Sequence, residues 1–353
     1  MLPQKLPRGQ TKFGLLRARD ALFFVVAVLN TNMTSRLWYM NADFETELAA
    51  GTDSYRRPLS FVALNRRLAP HLLRLAAEGD ALLVEESPAE SFNNEAARRG
   101  VELVTLDSTH PQTNRIFTPW GWTPGMVALG ERVGAVVQPV SLETVRRVNS
   151  KLWSHALEQE LGVGMAGARA AGSFAELEEA LARACPREDD KWVIKSPFGF
   201  AARERVLGRG ARLEGAQATW VRRQFARGET LIFQPWLERI REYGVTLEIA
   251  GDGRVNLIGI SDLQTNGAGT GTGYLLGRKI DSGRRVELES MARIVGARLF
   301  REGYTGPAGV DALEHARGLH PLLEINARYT MGFVALAIER ALNPQTTTLW
   351  ELK

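Results

Sequence analysis

The segment LLEINARYT, residues 322 to 330, limits the fold of this chain more than any other. Leu323, Ile325 and Ala327 alternate with Glu324, Asn326 and Arg328, which is the two-residue period of a strand. One face of that strand therefore carries a carboxylate, an amide and a guanidinium in a row. Upstream lies a second strand-like run, VDAL, and between the two the Arg317-Gly318 pair offers a turn. A hairpin centred there sets Asp311 opposite Glu324. Two opposed carboxylates repel and destabilise a plain sheet. They make sense around a hard cation, because magnesium takes carboxylate and amide oxygens and completes its shell with phosphate and water. Asn326 supplies a neutral oxygen on the same face, and Arg328 a positive charge suited to a developing anion. A solvated polar face is the plainer alternative, and the flanking segments decide between the two.

A chain of 353 residues is long for one core and implies two or three domains or a composite fold. Its 44% apolar and 24% charged residues are those of an ordinary globular protein. The net charge of +4 comes from scattered arginines without a block of like charge, which argues against a nucleic-acid tail and fits small anionic substrates. Cys185 is the only cysteine, so no internal disulfide forms and a reducing, cytoplasmic location is expected. It ends a helix-like run, SFAELEEALARAC, and reads as a packing residue. The run ALFFVVAVL, 21 to 29, follows Asp20 directly and is too short to span a bilayer. It reads as the buried first strand of an α/β domain, with Arg36, Trp38 and Tyr39 after it as substrate contacts or packing residues.

Strand and helix patterns then alternate: a helix around DFETELAAG, another over FVALNRRLAPHLLRLAAEG, a strand ALLVEE, a helix AESFNNEAARRG and a strand VELVTLD. This order predicts a small parallel sheet, although no G-x-G-x-x-G turn marks a dinucleotide site. THPQTNRIFTPWGWTPG, 109 to 125, is turn-rich and reads as a stretch that links or flanks domains, its tryptophans either shaping a pocket or, as the plainer reading, packing. Beyond residue 142 the pattern becomes α+β with antiparallel character. Ser150 caps a helix that starts at Lys151, KWVIKS and RERVLG form a hairpin, and ETLIFQPW, EYGVTLEIAG and RVNLIGISDL are strands. The last two join at Asp252-Gly253. A helix over VELESMARIVGARLFREG precedes the hairpin already described.

From about residue 142 to 340 these motifs, in this order, resemble the ATP-grasp superfamily of ATP-dependent ligases. The resemblance implies a Rossmann-like pre-ATP-grasp α/β domain over 1–125 and two ATP-grasp subdomains over 126–230 and 231–353. It implies that Lys151, in NSK, and Lys195, ending the strand before a loop containing Gly199, meet nucleotide phosphates, with Arg203 or Arg205 standing in for missing backbone donors or pairing with Glu204 or solvent. Gln234, Trp236 and Leu237 would line the base, and Glu242, in REYGV, the ribose. Asp311, Glu324 and Asn326 would hold Mg2+, or Mn2+ in its place, and Arg328 would stabilise the reacting group. The sequence departs from the family in having Phe200, Ala201 and Ala202 where small Gly and Ser residues are common, and Gln234-Pro235 where an acidic residue and a lysine are common. It also has Gly309 where the D-alanine-joining branch carries arginine.

The function implied is ATP-dependent ligation: a carboxylate becomes an acyl phosphate and is joined to an amine or similar nucleophile. A phosphotransferase and a catalytically silent nucleotide-binding regulator are the alternatives. Small-molecule carboxylate and nucleophile are the expected partners, with no nucleic acid or membrane; the oligomeric state is open, a homodimer among the possibilities. The glycine-rich stretch 263–279 reads as a lid or as a plain hairpin loop, with Arg278 and Lys279 as substrate contacts or surface charges.

Overall fold

The computed structural model describes residues 35–51, 55–107, 111–199 and 204–352. The apolar run 21–29 and Arg203 lie outside these residues. The first sheet is made by β1 (Arg36–Tyr39), β2 (Ala81–Val84), β3 (Glu102–Thr105) and β4 (Ile116–Pro119), all parallel, in the order β3-β2-β1-β4. Its helices are α1 (Phe44–Ala50), α2 (Leu59–Leu68), α3 (Glu90–Arg98) and α4 (Pro124–Arg132). β2 is buried along its whole length, as a strand covered on both faces must be.

Three sequence expectations change here. RLWY, expected to lie beyond the first strand, itself forms β1, and its side chains tie it to neighbouring elements. Trp38 Nε1 donates to Asp80 Oδ2 at 2.9 Å, Arg36 Nη1 to the Tyr329 hydroxyl at 3.1 Å, and the Tyr39 hydroxyl to Glu85 Oε1 at 2.7 Å. The stretch 109–125 contains β4, whose last residue is Pro119 and which pairs with β1 and, through a single bridge at Ile116, with Val136. Proline is tolerated at such an edge because no ladder hydrogen bond is lost there. Trp120 is buried, and Trp122 packs edge-on against Phe117 with ring centres 6.0 Å apart. The expected single helix over 61–79 also divides: α2 stops at Leu68, and a 3-10 turn runs over Ala69–Arg74, because Pro70 has no amide to continue the ladder.

The second sheet is antiparallel, ordered β5-β8-β6-β7, from β5 (Arg169–Ala171), β6 (Lys191–Lys195), β7 (Arg205–Arg209) and β8 (Leu231–Pro235). Helices α5 (Leu142–Val148) and α6 (Lys151–Glu160) precede it. Ser150 caps α6, its hydroxyl accepting from Leu152 N at 3.3 Å. Helices α7 (Phe174–Ala184) and α8 (Gly215–Ala226) bury Leu177, Leu181 and Val221 against Trp192, Ile194 and Phe233. Cys185 ends α7 and is buried, which pushes its thiol up to about 11 and keeps it unreactive.

The third sheet has six antiparallel strands in the order β13-β12-β9-β10-β11-β14. They are β9 (Arg239–Ile249), β10 (Val255–Thr265), β11 (Gly271–Leu276), β12 (Gly306–His315), β13 (Gly318–Asn326) and β14 (Thr348–Glu351). Helix α9 (Ser282–Arg301) buries Leu288, Ala292, Val295 and Leu299 in the core under Leu247, Ile249 and Val310. It starts before the expected Val286 because the Asp281 side chain caps it, accepting from Arg284 N at 3.1 Å. Helix α10 (Met331–Leu342) follows β13 directly. The stretch 263–279 is largely hairpin: β10 and β11 pair through it, with a turn at its tip. Among the described residues no helix is long and apolar enough to cross a membrane.

Candidate active site

The hairpin of β12 and β13 sets Asp311 opposite Glu324 and Gly309 opposite Asn326. Its turn is centred one residue earlier than expected, since His315 pairs with Gly318. A bulge between Asp311 and Leu313 absorbs the difference, so the expected pairing of the two carboxylates holds.

β13 is the edge of its sheet, and an edge leaves every second amide without a strand partner. Helical side chains fill that role. Ile325 N donates to Ser154 Oγ at 3.2 Å, and Ala327 N to Asn149 Oδ1 at 2.8 Å. These bonds seat the start of α6 over the polar strand. Lys151 Nζ then reaches Glu324 Oε1 at 2.7 Å and the Gly199 carbonyl at 3.0 Å, while Lys151 N donates to the Pro197 carbonyl at 2.9 Å. One lysine thus ties the loop after β6 to the third sheet.

The charges are strongly coupled. Burial pushes the Asp311 carboxyl up to about 7, and the neighbouring Glu324 pushes it the same way against the pull of Arg328. Burial also raises Glu324, but Lys151 and Lys195 outweigh it and hold this carboxyl below its ordinary value. Lys195 is drawn down to about 8 by burial, against the pull of Glu324. Asn326 Nδ2 donates to Asp311 Oδ2 at 3.0 Å, leaving Asn326 Oδ1 to accept from Arg328 Nη2 at 3.1 Å. Arg328 Nε donates to Glu45 Oε1 at 2.8 Å, and its Nη2 makes a second bond to the same oxygen. Glu45 belongs to α1, so the first domain grips the arginine of the third sheet.

Glu242 on β9 is ion-paired with Arg239 Nε at 2.7 Å and accepts from Thr265 Oγ1 at 2.5 Å. The Arg239 guanidinium lies 3.9 Å from the centre of the Trp236 ring. Arg205 donates to the Ala268 carbonyl at the tip of the β10–β11 hairpin, which joins the second sheet to the third.

A cleft of about 310 Å³ runs between these parts, lined by Lys151, Lys195, Gly199, Glu242, Asp311, Glu324, Asn326 and Arg328 together. Of the residues expected at the base, Trp236 lines an adjoining cleft of about 230 Å³ with Glu242 and Thr265. Gln234 is buried within β8, and neither it nor Leu237 borders the main cleft. Arg278 turns to Asp262 at 3.4 Å, and the Lys279 carbonyl accepts from Arg241 Nη1 at 3.2 Å. No cluster of three or more His, Cys, Asp or Glu among the described residues could hold a metal. The candidate set has two carboxylates and an amide, hard oxygen donors of the kind magnesium accepts when phosphate supplies the rest. Sequence reading missed Glu45, Arg239 and Tyr274, which also borders the cleft. Only their folded positions single them out.

No protein-family model matches the chain, and no curated protein matches it in sequence. Solved structures do match in fold. Biotin carboxylase from Campylobacter jejuni, as its β,γ-ATP complex, has a TM-score of 0.54 at 15% identity, over 77% of this chain and 64% of that chain. The biotin carboxylase domain of Hydrogenobacter thermophilus 2-oxoglutarate carboxylase, with MgADP, ADP and bicarbonate, has a TM-score of 0.51 at 14% identity, over 79% and 67%. N5-carboxyaminoimidazole synthetase from Staphylococcus aureus, complexed with ADP, has a TM-score of 0.50 at 9% identity, over 85% and 72%. With its antiparallel sheets meeting at a cleft, this chain has the ATP-grasp fold.

Proposed function

We propose that the chain is an ATP-dependent ligase that activates a carboxylate as an acyl phosphate and joins it to an amine or similar nucleophile. The observation that carries the reading is the convergence, on one cleft, of two opposed carboxylates, two lysines and an arginine. Opposed carboxylates and half-buried lysines cost stability unless a charged ligand uses them. The nucleotides named for the similar structures support ATP as that ligand. In this reading the parallel sheet is a Rossmann-like pre-ATP-grasp domain ending near residue 125, and the two ATP-grasp subdomains meet near residue 230.

Asp311, Glu324 and Asn326 would hold Mg2+, which when bound neutralises phosphate charge. Lys151 turns from Glu324 to the nucleotide phosphates, and Lys195 and Gly199 meet them from the other side. Glu242 accepts from the ribose hydroxyls, with Trp236 beside the base. A substrate carboxylate oxygen attacks the γ-phosphorus, the bond to the β,γ-bridging oxygen breaks, and ADP leaves. Positioning and fixed charge supply most of the acceleration in such transfers. The nucleophile's nitrogen then attacks the acyl carbon, phosphate departs with the bonding pair, and the ammonium proton passes to solvent. Arg328 stabilises the oxyanion of that step.

ADP release by the purified protein, given magnesium, pooled carboxylates and pooled amines, tests this reading beside Glu324→Ala. ADP that requires both pools and is lost in the variant is the expected result. A stable phosphorylated product without phosphate release would identify a phosphotransferase. Mg-ATP binding with no turnover on any pool would identify a regulator.

A further inference from the structure

The cleft is divided by charge. Every charged side chain lining it lies between Lys151 and Arg328, whereas the lining from the first domain and from beyond Arg328 carries no charge. Met40, Ala42, Leu68 and Trp120 form one wall, and Met331 and Leu352 form the other. Met331 packs with the core of the first domain and also with Tyr274 and Leu352, so the two walls are continuous. The bay is held open by fixed elements: Ala42 N donates to Asn65 Oδ1 at 2.7 Å, and the 3-10 turn follows Leu68 directly.

At the junction of the charged and apolar halves stand three groups suited to an anion. Arg328 reaches it from the end of β13. The N-terminus of α10, a helix of 12 residues with no side-chain cap, borders it through Thr330, Met331 and Gly332; open N–H groups there favour negative charge. Gly332 allows this close approach, since a Cβ would lie 3.0 Å from Thr246 Cγ2 and 3.1 Å from Ser261 Oγ. The third group is Tyr274. It is 7% exposed and lines the cleft, and its hydroxyl has no hydrogen-bond partner among the described residues. A hydroxyl on the cleft wall that bonds no protein group is free to donate to a bound acceptor.

We infer that this bay selects a carboxylate with a compact, uncharged apolar body, aliphatic or aromatic. The carboxylate lies among Arg328, Tyr274 and the start of α10, and the body among Met40, Ala42, Leu68 and Trp120. A second charge on that body would be buried without a partner, which is strongly unfavourable. The inference rests on the ligase reading for the fate of the carboxylate, but not for its binding.

The test supplies ATP, magnesium and hydroxylamine, which traps an acyl phosphate as a hydroxamate, with 3-phenylpropanoate, 4-methylpentanoate, succinate or aspartate. The two apolar acids are expected to saturate the enzyme at concentrations at least tenfold below succinate and aspartate. Ala42→Leu fills the bay and should raise half-saturation for the apolar acids about tenfold or more without changing that for ATP. Tyr274→Phe should weaken all the acids about tenfold, the worth of one hydrogen bond to a charged group. Equal or better use of succinate or aspartate overturns the inference and leaves the ligase reading standing. If no acid gives hydroxamate, calorimetry with 3-phenylpropanoate decides the bay. Binding that Ala42→Leu abolishes upholds it, and no binding overturns it.

Discussion

Asn149 should be worth more to this protein than its place in a short inter-helix link suggests. Its Oδ1 accepts from Ala327 N at 2.8 Å, and its Nδ2 donates to the Val145 carbonyl at 2.8 Å and to the Ala327 carbonyl at 3.4 Å. Ala327 is 2% exposed, so water cannot replace the lost acceptor in Asn149→Ala. Leaving a buried amide unsatisfied costs about 1–3 kcal/mol. The lost donor bonds add little, because the Val145 carbonyl still accepts from Asn149 N at 3.2 Å and the bond to the Ala327 carbonyl is long, and the expected loss is about 2 kcal/mol. Ser154→Ala removes the longer bond to Ile325 N, 3.2 Å, and should cost about 1 kcal/mol. Urea unfolding at constant m-value reads both losses as shifts in midpoint. Ala327 lies between Asn326 and Arg328, so turnover in Asn149→Ala should fall further than ATP affinity. An unfolding midpoint within about 0.5 kcal/mol of the parent would refute the argument that helical side chains complete the edge of β13 and thereby place Lys151 over Glu324.

Three further outcomes are expected. Burial draws the Lys195 ammonium down to about 8, so activity that needs its charge is full below that pH and falls as pH rises through it. Lys195→Arg should move that alkaline limb upward, since a guanidinium stays protonated, and a limb that does not move in the pH profile of kcat/KM belongs to another group. Glu45→Gln leaves the buried Arg328 without its counter-charge and should lower stability by about 3 kcal/mol, with kcat reduced more than KM for ATP; differential calorimetry and initial rates check the two parts. In Gly208→Ala the new Cβ would sit 2.1 Å from Cζ2 of Trp192, a fully buried ring pinned by its Nε1 bond to the Gly210 carbonyl at 2.8 Å. The ring cannot slide away, so overpacking should cost about 3 kcal/mol, read as a lowered thermal midpoint.

What could be read from the sequence alone was local. The Ser150 cap before Lys151 and the Asp252-Gly253 turn act within a few residues, and each has the structure that its chemistry requires; LLEINARYT is a strand only as far as Asn326, with Arg328 beyond its end and Leu323 lining the cleft beside Glu324. The opposition of Asp311 and Glu324 was legible because a hairpin carries its register in its own numbering. The bulge beside Asp311 was not, since an extra residue leaves no mark in the alternation when it compensates a turn centred one residue away. β4 was hidden for a related reason. Four residues ending in proline look like a turn until a neighbouring strand offers its edge.

The assembled site needed the tertiary structure. Glu45 and Arg328 are 283 residues apart, and no periodicity joins them; they meet because burying the first domain against α10 brings α1 beside β13. The separation of charged from apolar lining arises the same way, from three segments that share no motif. Hydrogen-bonding and side-chain alternation act along the chain and so are written in short stretches of it. Burial of apolar surface acts between elements without regard to their order, and that is what decided which side chains face one another across the cleft.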